Sequence, residues 1–176
     1  MHLEKLTNVG AGLIGGSLGL SAQKRGLAKQ VAALVRRAQS VAECQSLGIA
    51  HNVTIEAAEA IADADLIVIC TPVASMVDSV KSWLPIIKSG AVVTDVGSTK
   101  KQLVNELTPI IAKTGAHFVG SHPMAGSAKT GPSAARADLF EGAVCVVTPG
   151  KDTDSNAIQL VNQFWEGLGS QSIVTS

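Results

Sequence analysis

Apolar runs of strand length alternate with segments of helical spacing along almost the whole chain. Residues 3–9 read as a first strand, interrupted by Thr7 and Asn8. Residues 13–25 read as a helix with glycines crowded at its start. A second strand is predicted over 30–35 and a short helix over 40–47, capped by Ser40 and closed by Gly48. An Ala-rich helix follows over 56–62. The run 65–70, Asp-Leu-Ile-Val-Ile-Cys, is nearly all apolar, which is the mark of a strand covered on both faces. A helix over 73–84 stops before Pro85, and a short buried strand is predicted over 91–94. Residues 100–113 place Leu103, Val104, Leu107, Ile110 and Ile111 at helical spacing, with Pro109 inside. Strands over 117–119, 143–148 and 172–174 complete the series. The last helix, 154–168, carries Ile158, Val161, Phe164, Trp165 and Leu168 on one side.

This alternation predicts an α/β domain of Rossmann type: a doubly wound, mainly parallel sheet with helices on both faces. The 176 residues suit one such domain, spanning 1–176, with no internal repeat and no linker. No stretch is apolar for long enough to cross a membrane. Residues 1–5 lack the layout of a signal peptide, so a cytoplasmic location is expected. Fourteen Lys and Arg balance fourteen Asp and Glu, which leaves no basic footprint for nucleic acid or anionic membrane. Cys44, Cys70 and Cys145 are far apart and read as reduced thiols, Cys70 as a buried one. His2, His51, His117 and His122 have no ligand-like spacing, and no metal site is expected. Charged residues make up only 16% of the chain, against about 25% in an average soluble domain. That low charge predicts a contiguous apolar surface near the last helix and strand.

The candidate chemistry lies where the predicted strands end. Gly10-Ala11-Gly12-Leu13-Ile14-Gly15 is a GxGxxG between a strand and a helix. Such a turn brings backbone N–H groups and the positive end of a helix up to a pyrophosphate, so Gly10, Gly12, Leu13, Ile14 and Gly15 are expected to bind a dinucleotide. An acidic residue usually follows the second strand to hold an NAD ribose. Here Arg36 and Arg37 stand in its place, and two guanidiniums favour the extra phosphate of NADP over NAD. Solvated surface arginines are the plain alternative. Thr71-Pro72, Asp95 to Lys100 and Gly120 to Ser127 also follow strands, and these loops are expected to converge on one rim facing the glycine turn. Thr71 and Pro72 would line the nicotinamide ribose side, Ser98 could orient an imidazole, and His122 is the histidine suited to move a proton there.

Read together, Gly10 to Leu18, Cys70-Thr71-Pro72, Asp95-Val96-Gly97-Ser98 with Lys100, and His122-Pro123-Met124-Ala125-Gly126 resemble, in this order, the prephenate/arogenate dehydrogenase family of tyrosine biosynthesis. Asp138-Leu139-Phe140-Glu141 and Val147-Thr148-Pro149 continue the resemblance. It implies NAD(P)-dependent oxidative decarboxylation of prephenate or arogenate. It implies that His122 hydrogen-bonds the ring hydroxyl, that Ser98 supports His122, and that Ser127 contacts substrate. Activity would then fall in acid, as the imidazole takes up a proton. Ala128 stands where many relatives carry an acid, a variation that resembles arogenate users. The family's catalytic unit also has a following all-helical domain that dimerises and meets the substrate's carboxylates. The domain organisation implied is therefore a nucleotide-binding half, completed by a helical partner or in a homodimer. Two alternatives stand beside this reading: a cofactor-binding module without turnover, and another β-hydroxyacid-type or imine dehydrogenase on the same fold.

Overall fold

A computed structural model of the chain describes residues 2–175. The order is β1 (Leu3–Val9), α1 (Leu13–Lys24), β2 (Ala28–Leu34), α2 (Ala38–Ser46), β3 (Asn52–Thr54), α3 (Ala57–Ile61), β4 (Leu66–Ile69), α4 (Val73–Trp83), β5 (Val92–Asp95), α5 (Lys101–Ala112), β6 (His117–Pro123), β7 (Val144–Pro149), α6 (Ser155–Gly167) and β8 (Gln171–Val174). The strands form one sheet in the order β3-β2-β1-β4-β5-β6-β7-β8. Strands β1 to β6 are parallel, β7 pairs antiparallel with β6, and β8 is parallel to β7.

The sheet separates two apolar layers. In β4, Leu66 and Val68 join the layer built with α1, α2 and α6, while Ile67 and Ile69 join the layer built with α3, α4 and α5. This alternation is why the sequence of β4 is apolar throughout. The polar pair in β1 is accommodated by the same alternation. Thr7 Oγ1 donates to the Ala60 carbonyl on α3 at 2.6 Å, and Asn8 Nδ2 donates to the Gly15 carbonyl on α1 at 3.1 Å.

Several expectations change. Strand β3 was not anticipated; it has three residues and no apolar run, and it exists because it pairs with Ala32, Ala33 and Leu34 of β2. Helix α2 begins two residues early, with Arg37 rather than Ser40 at its N-cap. Helix α5 passes through Pro109 unbroken, because Asn105, whose carbonyl loses its helical donor, lies on the exposed face with Pro109. On α6 the buried side includes Ala157, with Ile158 only half-buried. Strand β6 runs four residues further than expected, so His122 and Pro123 lie on a strand and not in a loop. The antiparallel partner β7 extends it, with His122 opposite Val146.

Helices cover both faces only up to β6. Beyond it, α6 packs on one face, against Cys145 and Val147. Val146 and Ile173 share the other face with His122 as a cross-strand row, and among the described residues no helix is packed over β8 there. Ile173 is 52% exposed and nearby Met124 is 61% exposed. The exposed large apolar side chains near the C-terminus are Ile173 and Val174 on β8 and Met124 just beyond β6. The apolar side of α6 is buried.

Candidate functional site

The carboxyl ends of β1, β4 and β5 are neighbours at one sheet edge, and β1 lies between β2 and β4, where the direction of winding reverses. A doubly wound sheet opens its ligand crevice at that point. Gly10 turns the chain there with φ +96°, and its N–H donates to the Leu34 carbonyl at 2.8 Å. A Cβ on Gly15 would lie 1.9 Å from the Gly10 carbonyl oxygen, so helix and turn can touch only if residue 15 has no side chain. A Cβ on Gly12 would meet nothing within 4 Å. Gly12 is the N-cap of α1 and offers no side chain to the first-turn N–H groups, which stay available to an outside acceptor.

Beside this turn lies a cleft of about 750 Å³. Leu34, Val35 and Arg36 form one side, Ile55 and Ala57 the floor beyond β3, and Thr71, Pro72 and α4 as far as Trp83 the other side. Ile55 is 45% exposed, an unusual setting for isoleucine and one suited to an aromatic base. The Thr71 hydroxyl is buried without a partner. Open space over Gly12, free helix N–H groups, an orphaned hydroxyl and an apolar pocket fit a dinucleotide. The cleft holds the expected cofactor residues Gly10, Arg36, Thr71 and Pro72 together. Arg37 is exposed at the start of α2. Ile55 was missed at the sequence level because β3 was missed.

A buried polar network occupies the ends of β5 and β6. The Asp95 side chain is fully buried and pairs with the Lys100 ammonium. Asp95 Oδ2 also accepts the Gly97 N–H at 2.8 Å, and Oδ1 accepts the Ser121 N–H at 3.2 Å. Lys100 Nζ donates to the Ser121 carbonyl at 2.6 Å. The Ser121 hydroxyl donates to the Asp95 carbonyl at 2.6 Å and lies 2.8 Å from Thr94 Oγ1 and 3.0 Å from Trp165 Nε1. Its one proton is committed to Asp95, so Thr94 and Trp165 both donate to it. Burial pushes the Asp95 carboxyl above the usual carboxylate range, against the pull of Lys100. Burial likewise holds the Lys100 ammonium below its usual range.

His122 follows this network. Its Nδ1 lies 3.3 Å from the Val96 carbonyl oxygen. A carbonyl only accepts, so Nδ1 carries the proton and Nε2 is left as an acceptor. Ser98, the residue expected to support His122, is exposed, two residues beyond Val96 on the same turn. Ser127 is exposed in the following loop, its hydroxyl accepting the Lys129 N–H at 3.1 Å. Cys70, expected to be buried, is only half-buried; desolvation of its thiol and the Asp95 carboxylate push the thiol well up, which keeps it protonated. Burial raises the Cys145 thiol to about 12. Among the described residues, no His, Cys, Asp and Glu side chains are grouped to hold a metal, and no helix is long and apolar enough to cross a membrane.

The family model for the prephenate dehydrogenase nucleotide-binding domain matches residues 18–174. The chain belongs to the prephenate dehydrogenase family. Prephenate dehydrogenase of Bacillus subtilis is 30% identical over 168 residues, which is 95% of this chain and 45% of that protein. The prephenate dehydrogenase of A. aeolicus, in complex with hydroxyphenyl propionate and NAD+, superposes with a TM-score of 0.90 at 30% identity, over 98% of this chain and 60% of that one. Synechocystis arogenate dehydrogenase also gives a TM-score of 0.90, at 26% identity, over 98% of this chain and 59% of that one. The chain therefore spans about half the length of the family members it matches. Lys100, Ser121 and Trp165 had no role assigned from sequence. The signal available was a lysine at the head of a helix, five residues after an aspartate that ends a strand.

Proposed function

We propose that this chain is the nucleotide-binding half of an NADP-linked dehydrogenase that oxidatively decarboxylates arogenate or prephenate. The observation that carries the reading is His122: its Nδ1–H is tied to Val96, and its free Nε2 stands beyond the end of β5 in the sheet that forms the dinucleotide crevice. In this reading the first-turn N–H groups of α1 hold the pyrophosphate, the cleft beside Ile55 holds the adenine, and Arg36 and Arg37 hold the 2′-phosphate. When bound, the cofactor supplies the hydride acceptor. His122 Nε2 accepts the proton of the ring hydroxyl as that carbon becomes a carbonyl. Loss of carbon dioxide from the opposite ring carbon then aromatises the ring and makes the sequence irreversible. The hydroxyphenyl acid bound by the A. aeolicus relative has the kind of skeleton such a reaction yields. Ala128, in place of an acid, supports arogenate as the substrate. The location that suits this chemistry is the cytoplasm.

The exposed Ile173 and Met124 and the half-buried Val146, on the face that carries His122, support a further part of the reading. A helical domain, in the same protein or a partner, packs on this face and completes the substrate site. Ser98 and Ser127, both exposed on the rim, would then meet substrate.

The test follows reduced nicotinamide by absorbance after mixing protein, NADP and arogenate or prephenate. His122→Asn is expected to lower turnover about 10²–10⁴-fold, the usual contribution of a positioned base, with cofactor affinity unchanged. Full turnover in that variant would refute the role. Arg36→Ala is expected to weaken NADP binding about 10-fold or more, the loss of a charged hydrogen bond, and to leave NAD binding as it was. A wild-type protein that prefers NAD would overturn the NADP assignment.

A further inference from the structure

We propose that Lys100, acting with Asp95, is a positioning residue that sets the tautomer and placement of the His122 imidazole. The inference rests on the reading of His122 as the proton acceptor, and it names what prepares that atom. Lys100 Nζ bridges Asp95 Oδ2 and the Ser121 carbonyl. The same Asp95 oxygen accepts the Gly97 N–H at 2.8 Å, which folds the 95–97 turn and aims the Val96 carbonyl at His122 Nδ1. Ser121 is held through its N–H, its carbonyl and its hydroxyl, so the peptide leading into His122 has no freedom to shift. The ammonium therefore joins the two backbone pieces whose relative position decides the Nδ1–H to Val96 bond. Neither Lys100 nor Asp95 touches the imidazole. Both act through backbone, and their side chains are 14% and 0% exposed.

A buried ion pair is a poor means of gaining stability, because desolvation of both charges offsets their attraction. What it supplies here is geometry. Free imidazole in water favours the Nε2–H form, so holding the opposite tautomer needs a fixed acceptor at Nδ1.

The test is nitrogen NMR of the His122 ring in the full chain, comparing wild type with Lys100→Met and with the double variant Asp95→Asn/Lys100→Met. The double variant removes both charges and leaves no lone carboxylate in the interior. Expected is one tautomer, protonated on Nδ1, in the neutral wild-type ring. The folded double variant, with NADP affinity retained, is expected to show a mixture weighted toward Nε2–H, and turnover about 10²-fold lower at an unchanged cofactor KM, the cost of a misplaced group. Wild-type nitrogen shifts in a folded double variant would make Lys100 merely structural and overturn the proposal. An Nε2–H ring in the wild type would overturn it without any variant. A tautomer change as expected in a protein that reduces no cofactor even with its helical domain present would support the positioning role and refute the dehydrogenase reading.

Discussion

Alanine at Gly15 is expected to abolish dinucleotide binding and destabilise the domain, whereas alanine at Gly12 is expected to weaken binding alone. The two substitutions add the same methyl group to the same turn, and the structure separates them. At position 15 the new Cβ would lie 1.9 Å from the Gly10 carbonyl oxygen, which is backbone and cannot move without opening the contact between β1 and α1. The expected result is a stability loss of about 1–3 kcal/mol, the range for overpacking, and no measurable cofactor binding. At position 12 the Cβ would meet no protein atom within 4 Å. The melting temperature of Gly12→Ala should stay within a degree or two of wild type, since surface changes away from packing are within about 0.5 kcal/mol. Its affinity for the dinucleotide should still fall at least 10-fold, because the methyl fills the space through which a phosphate approaches the helix N-terminus. Calorimetric melting with a cofactor titration checks both. Full affinity in Gly12→Ala would mean that the pyrophosphate does not sit on this turn.

Lys100→Met is expected to be the most damaging substitution outside the turn. It leaves the fully buried Asp95 carboxylate without its cation, a change that costs about 3–5 kcal/mol when a buried pair is broken from one side. For a domain of this size the melting temperature would fall by roughly 6–20 °C. Asp95→Asn added to it should recover most of the loss, since the pair as a unit contributes little. The pH dependence has a defined sign. The Asp95 carboxyl is already raised by burial, and removing Lys100 raises it further. A carboxyl raised by folding penalises the folded state as pH rises through its folded value and ceases to do so once protonated. The deficit of Lys100→Met should therefore be greatest near neutrality and shrink in acid. A deficit that grows in acid would show that the carboxylate is not the source.

The glycine turn, the arginine pair and the alternation of strand and helix could be read directly because each depends on local order along the chain. Period and spacing settle whether a segment is a strand or a helix, and four apolar residues in a row at 66–69 imply cover on both faces. Strand β3 could not be read that way, since its three residues take their form from β2. The extension of β6 through His122 was equally hidden, because it depends on a strand that returns from more than twenty residues away.

The chemistry around His122 divides along the same line. Sequence alone determined that a histidine stands close to a predicted strand in a dinucleotide-binding domain, and that Asp95, Ser98 and Lys100 stand on a neighbouring turn. Only the tertiary structure decided what bonds the ring and how these side chains are paired. Val96 bonds the imidazole through its backbone, which no side-chain pattern reveals. Lys100 reaches Ser121, and Trp165 reaches the same serine from the last helix, across 44 positions of chain. The low charge likewise predicted an exposed apolar surface, but which side chains face outward on β7 and β8 followed from strand register, which sets Val146 and Ile173 in a row with His122 and turns Cys145 and Val147 toward α6. Local propensity is carried by neighbours in the chain. Hydrogen-bond partners and buried charge pairs are chosen by packing between elements far apart in it.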